Sequence, residues 1–194
     1  MKKIILTVFA ATSLLLYSTP SFALVSVSVG MPMSQAITGK LAGKSYGNAP
    51  DKTSGYFLGV SFLSIGLGID SYTTKFKTGD CNGCWEAKVD AGLKTNMTNI
   101  FYQLPVPVVN LIIGLGMGTT EYDCKFTNGD CSAFYDKGSA TQWYTSIGMP
   151  IIPFFDIHLS YRSVTAKNIE SKYEEGKKDD NSGSVTGVGI AFNF

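Results

Sequence analysis

Val25, Val27, Val29 and Met31 alternate with Ser26, Ser28 and Gly30. Successive side chains of a strand point to opposite faces, so this stretch reads as a strand with one apolar face and one small or polar face. The pattern returns along the chain. Tyr56, Leu58, Val60 and Phe62 form the apolar parity of a second strand, and Ile65, Leu67 and Ile69 alternate with Gly66, Gly68 and Asp70 in a third. A fourth runs from about Thr95 to Leu104, with its parity left open because "NIFYQ" carries apolar groups on both sides. Leu111, Ile113, Leu115 and Met117 oppose Ile112, Gly114, Gly116 and Gly118 in a fifth. Trp143, Thr145, Ile147 and Met149 oppose Gln142, Tyr144, Ser146 and Gly148 in a sixth, and Ile157, Leu159 and Tyr161 oppose His158, Ser160 and Arg162 in a seventh. The last, "SVTGVGIAFNF", places Thr186, Val188, Ile190, Phe192 and Phe194 on one parity.

The connections alternate between long and short. Polar stretches at 35–54, 77–90, 121–140 and 167–184 follow the odd-numbered strands, while the even-numbered ones end in tight turns around Ser64, "PVPVV" and "PIIPF". An eight-stranded antiparallel up-and-down barrel with both termini at one end produces this asymmetry, and transmembrane barrels show it as short periplasmic turns and long extracellular loops. An internal echo, "IGLGIDSYTTKFKTGDC" from Ile65 and "IGLGMGTTEYDCKFTNGDC" from Ile113, is spaced by one two-strand unit. It suggests construction from repeated hairpins.

The first residues change the setting. Lys2 and Lys3 precede an apolar run from Ile4 to Leu16, and Ser21-Phe22-Ala23 offers a small-x-small cleavage site. Residues 1–23 therefore read as a secretory signal peptide and 24–194 as one barrel domain, with Leu24 as the mature N-terminus. Removing Lys2 and Lys3 takes the formal charge from +1 to −1. No basic face is left to neutralise phosphates, which argues against nucleic acid as a partner. No apolar run after residue 23 is long enough for a membrane helix, a limit that does not touch strands.

With the strands, the loops and the apolar C-terminal parity in place, the chain resembles the small eight-stranded outer-membrane barrels, the OmpA-type transmembrane domain and the opacity-like surface proteins. The resemblance covers Leu24 to Phe194. It rests most specifically on Ile190, Phe192 and Phe194, which match that family's C-terminal assembly signal, and also on "VNLIIGLGMG" and "IHLSYRSV". It implies location in the outer membrane of a Gram-negative bacterium, with loops outside and both termini in the periplasm. It also implies surrounding lipid and lipopolysaccharide, and recognition by the barrel-assembly machinery. No peptidoglycan-binding domain follows the barrel, so a cell-wall tether is not expected.

On this reading the apolar parities face lipid, and Trp143, Tyr161, Phe192 and Phe194 are candidates for interfacial girdles. Asp70, Gln142, His158 and Arg162 fall on the inward parity. Eight strands enclose an interior just wide enough to be filled by side chains, so an Arg162–acid pair is expected as filling, with a narrow ion path as the alternative.

Cys81 and Cys84, and Cys124 and Cys131, fall in two of the long polar stretches. An exported chain meets an oxidising compartment, so disulfides are expected in preference to a zinc or dithiol redox site; four cysteines allow three pairings. No cofactor or metal is expected. The loops are the expected carriers of a surface-interaction, adhesion or envelope-integrity role, toward a ligand the sequence does not identify. Tyr46, Trp85, Phe134, Tyr135 and Tyr173 are their aromatic candidates.

A catalytic alternative also exists. His158 and Ser160, with Glu170 or Glu174 following, supply the residue types of nucleophilic acyl transfer and resemble the His-x-Ser motif and later glutamate of outer-membrane lipid A deacylases. Tyr161 and Arg162 stand where that motif continues with Asn and Gly, and the inward parity of the pair points away from lipid. A soluble lipocalin-like carrier, the remaining class, would turn the apolar parity inward.

Overall fold

The computed structural model describes residues 24–41, 44–45, 50–76, 91–104, 106, 109–126, 129–152, 154–167, 169–172 and 178–194. The signal-peptide segment 1–23 lies outside them. Eight long strands make up the body: β1 (Val25–Ile37), β2 (Pro50–Phe62), β3 (Ile65–Phe76), β4 (Ala91–Leu104), β5 (Asn110–Phe126), β6 (Gly138–Ile152), β7 (Phe155–Thr165) and β8 (Gly183–Asn193). Each pairs antiparallel with its neighbour in sequence, and β1 pairs with β8, so the sheet closes on itself. Closure satisfies every strand edge internally, which is what a hydrocarbon environment demands of a sheet.

Both ends of the chain lie at the same end of the barrel. Val25 and Phe194 exchange backbone hydrogen bonds there, and Leu63 N–H donates to the Leu24 carbonyl. The turn joining β2 to β3 is made by Leu63 and Ser64, both with positive φ, as a tight hairpin on right-twisted strands requires. We call this the turn end, and the opposite one the loop end.

The outer surface is apolar across the middle of the strands. Val27, Leu58, Leu67, Ile69, Leu115, Met117, Ile147 and Leu159 all point outward and are exposed. A soluble eight-stranded carrier would bury this parity. Outward aromatics bracket the band, with Phe62, Tyr102, Phe154, Phe192 and Phe194 toward the turn end and Tyr56, Trp143 and Tyr161 nearer the loop end. Tyr56 and Phe62 are separated by about 20 Å of strand rise, comparable with the roughly 25 Å band of a transmembrane barrel.

The parity left open in β4 is settled by what lies behind it. Phe101 points inward because Gly66 leaves its ring room: a Cβ at Gly66 would lie 2.1 Å from Phe101 Cζ. Tyr102 points outward into the aromatic band. Its register partners are Ile65 on β3 and Ile113 on β5, so the two copies of the sequence echo flank β4 at the same height.

The strands are longer than the apolar alternation predicts. The polar stretch 35–54 is strand up to Ile37 and again from Pro50, and 121–140 is strand up to Phe126 and again from Gly138. The reason is visible on the inner face. Beyond the apolar band the ladders continue, lined by Gln35, Thr53, Thr74, Thr95 and Thr120, whose side chains bond one another across strands. Alternation of greasy residues marks the part of a strand that meets lipid, not the whole of it.

Candidate functional site

The lumen is the most elaborately built part of the molecule. Asp70 on β3 and Arg162 on β7 sit on strands four apart in an eight-stranded ring, so their contact crosses the interior. Arg162 Nε donates to Asp70 Oδ2 at 3.0 Å and Nη2 to Oδ1 at 3.4 Å. Gln142 Nε2, from β6, reaches the same Asp70 oxygen at 2.6 Å and Asn99 Oδ1 of β4 at 2.6 Å. Arg162 Nη1 donates to Ser160 Oγ at 2.6 Å, and Ser160 passes its own proton to the Gly187 carbonyl at 3.2 Å. The guanidinium lies 3.5 Å from the centroid of the Phe57 ring and 4.9 Å from that of Tyr144. A buried charge needs both an opposite charge and its remaining hydrogen bonds filled, and Arg162 has both.

The inward glycines make this possible. A Cβ at Gly114 would stand 2.2 Å from Tyr144 Cε1, and one at Gly148 2.4 Å from His158 Cε1. Each large inward ring lies on a glycine of the neighbouring strand. The cavity left beside the network is about 60 Å³, bordered by Asn99, Phe101, Tyr144, His158 and Arg162. That is room for about four waters.

The residues of the acyl-transfer alternative are all described. His158 and Ser160 both face the lumen, but the imidazole's hydroxyl partner is Ser146, at 3.2 Å from Nδ1. Ser160 is committed to Arg162 and Gly187. Glu170 belongs to a small hairpin, Ile169–Glu170 with Lys178–Asp179, beyond the loop end of β7. The stretch from His158 to Thr165 alone rises about 23 Å. Glu174 lies outside the described residues.

At the loop end the described residues of two connections are tied to each other. Cys124 and Cys131 are joined as a disulfide with Cα atoms 5.3 Å apart. Cys124 is an inward residue of β5 and not a loop residue, a consequence of the longer strand. Tyr135 bridges to Ser171, and its ring packs edge-on against Tyr122, whose hydroxyl donates to Asp179 Oδ2 at 3.0 Å. Lys172 Nζ donates to the Ser132 carbonyl at 2.7 Å. Phe134 remains exposed. Tyr46, Cys81, Cys84, Trp85 and Tyr173, and the whole stretch 77–90, lie outside the described residues.

Sequence reasoning missed Asn99, because the parity of β4 was open, and the group at the turn end formed by Asp156, Asn110, Asn193 and Ser146. Asp156 sits behind the prolines of the last turn, where no alternation exposes it. At the C-terminus Ile190, Phe192 and Phe194 lie on the outward face, and Phe192 packs edge-on against Phe155 of β7.

A closed eight-stranded sheet with an apolar outer band, aromatic borders and a filled polar interior defines a membrane-spanning β-barrel. Comparison with solved structures gives the same fold. Neisserial surface protein A superposes with a TM-score of 0.57 at 12% identity, covering 88% of this chain and 96% of that one. E. coli outer membrane protein W superposes with a TM-score of 0.52 at 13% identity, covering 89% of this chain and 98% of that one. At such identities the likeness is one of architecture: the chain has the fold of the small outer-membrane barrels. No protein-family model and no curated protein sequence matches it.

Proposed function

We propose that the chain is a non-catalytic barrel of the bacterial outer membrane whose work is done at the loop end, in surface interaction, adhesion or envelope integrity. On this reading the turn end and both termini face the periplasm, and lipid and lipopolysaccharide surround the apolar band. The barrel-assembly machinery would act on the strand ending in Phe192 and Phe194. The observation that carries the proposal is the division of labour between the two regions. Among the described residues the lumen is spanned by a cross-barrel ion pair, and Ser160 beside it is bonded to Arg162 and Gly187. At the loop end, among the described residues, the segment after β5 is joined to the one after β7 through Tyr135, Ser171, Ser132 and Lys172. Ordered loops on a rigid scaffold are the usual carriers of binding.

The competing enzymatic reading is tested by mass spectrometry of lipid A from a host membrane containing the native barrel or His158→Ala, both verified as folded by heat-shifted gel mobility. The proposal expects identical lipid A in the two membranes and in a membrane without the barrel. Loss of an acyl chain with the native barrel alone would overturn it.

A further inference from the structure

At the loop end, the outer face of the barrel gathers lysines that the chain keeps apart. Thr53 of β2, Thr74 of β3 and Thr95 of β4 line the lumen, so Lys52, Lys75 and Lys94, each one position away, face outward. Lys52 and Lys75 are direct partners in the β2–β3 ladder. Side chains opposite each other in an antiparallel pair have Cβ atoms about 5 Å apart, and like charges there destabilise the sheet. Lys94 lies on the diagonal from Lys75, since its own partner on β3 is Thr73. Glu121 of β5 stands 3.6 Å from Lys94 Nζ and 2.8 Å from Lys137 Nζ, one carboxylate shared by two ammonium groups. Among the described residues no carboxylate forms an ion pair with Lys52 or Lys75. Asp51, at the bulge before Lys52, and Asp123 of β5, opposite Gly92, stand at the margins of the group. A lysine pair held face to face on an outer surface calls for an anion from outside the chain.

We propose that Lys52, Lys75 and Lys94 form a docking surface for the phosphate groups of a lipid in the leaflet at the loop end. The inference rests on the orientation given under the proposed function, by which that lipid is lipopolysaccharide. The outward pairs of the β2–β3 ladder, taken from the loop end inward, describe such a molecule. Lys52 faces Lys75, then Ser54 faces Thr73 and Tyr56 faces Ser71, and then Leu58 faces Ile69 and Val60 faces Leu67. Ammonium groups suit phosphates, hydroxyls suit a sugar headgroup, and the exposed aliphatic pairs suit acyl chains. A free phosphate ion would use only the first of these layers.

The depth agrees. Tyr56 belongs to the aromatic border of the apolar band. Lys94 lies one outward row beyond it, and Lys52 and Lys75 lie two, about 7 and 13 Å of strand rise. The tilt of strands in a transmembrane barrel shortens these to about 5 and 10 Å along the membrane normal. Headgroups occupy about 5–8 Å beyond the hydrocarbon, within reach of a lysine stem. The near-zero net charge leaves no basic face overall, and the patch is local. Strand register alone assembles it from three strands.

The test is a titration of the full mature barrel, in micelles of an uncharged detergent, with lipid A carrying both of its phosphates. Native mass spectrometry reads the fraction of barrel that retains lipid. The variant combines Lys52→Gln with Lys75→Gln. A control combines Lys167→Gln with Lys178→Gln, which removes the same charge elsewhere at the loop end. Heat-shifted gel mobility confirms that each is folded. The proposal expects the affinity to fall about 10–30-fold in the Lys52/Lys75 variant, the combined effect of two lysines near an anionic headgroup, and to stay unchanged in the control. Dephosphorylated lipid A should bind the native barrel and the variant equally. An affinity unchanged in the variant, or an equal fall in the control, would overturn the proposal. Displacement of lipid A by millimolar inorganic phosphate would also overturn it, by showing a site for a free anion. The titration in micelles does not depend on orientation, so its failure leaves the proposed function standing. A loop end found protected from protease on intact cells would instead overturn the orientation and the assignment of the leaflet.

Discussion

The inward face of β7 carries two acid–base encounters a few residues apart, built in opposite ways. Near the middle of the lumen Arg162 meets Asp70 with fork geometry, and Gln142, Asn99, Ser160, Phe57 and Tyr144 close around the pair. At the turn end Asp156 is held by two amides, but the base beside it keeps one nitrogen free. The first arrangement spans the barrel and satisfies its charges from five strands. The second lies on one strand and leaves one ring nitrogen without a hydrogen-bond partner among the described residues. Each region leaves a polar atom unmatched, Gln142 Oε1 in the network and His158 Nε2 at the turn end, so the two differ chiefly in how far they reach across the barrel.

The sharpest way to break this comparison is to remove one member of the closed pair. Arg162→Met leaves Asp70 buried and uncompensated, and should lower stability against urea by about 3–5 kcal/mol. Pairing it with Asp70→Asn should recover most of that loss, because removing both charges avoids the stranded one. A double variant no more stable than the single one would show that the network does not act as a unit.

Crowding a ring comes next. Gly114→Ala drives a methyl into Tyr144 and should cost about 1–3 kcal/mol of stability against urea. Gly148→Ala should cost a similar amount, because it displaces the His158 ring. If both glycine variants are as stable as the native barrel, the inward rings do not depend on their cradles.

The smallest effect is expected at the loop end. With Cys124→Ser and Cys131→Ser together, the barrel should keep its heat-shifted mobility while limited proteolysis between Gly129 and Lys137 becomes faster. Failure of the barrel to assemble would mean that the disulfide belongs to the scaffold, as its position on β5 allows.

What the sequence discloses follows from which forces act one residue at a time. Lipid imposes an apolar side chain on every second position, so Leu111 to Met117 or Ile157 to Tyr161 announce their strands and their phase. That phase places Asp70, Gln142, His158 and Arg162 on the parity that lines the lumen. Strand length is less legible, because above the band the inward positions, Thr53, Thr74, Thr95 and Thr120, and their outward neighbours are all polar, so no apolar alternation marks the strand. The β4 phase needs a partner to decide it: only Gly66, on the adjacent strand, makes room for Phe101. Contacts across the lumen are hidden more deeply. Asp70 and Arg162 are 92 residues apart, and their meeting depends on the stagger of all the strands between them. The open Asp156–His158 pair is missed because a turn rich in proline and phenylalanine hides its acid.

The central claim is that the apolar parity faces hydrocarbon while the polar parity is enclosed. Spin labels at Leu67, Leu115 and Leu159, placed one at a time on a variant lacking the native cysteines and reconstituted in lipid bilayers, test it directly. The account predicts high collision rates with oxygen, which concentrates in hydrocarbon, and low rates with a water-soluble nickel complex at all three positions. The reverse pattern, or a barrel that stays in aqueous solution without lipid or detergent, would contradict it and turn the sheet inside out.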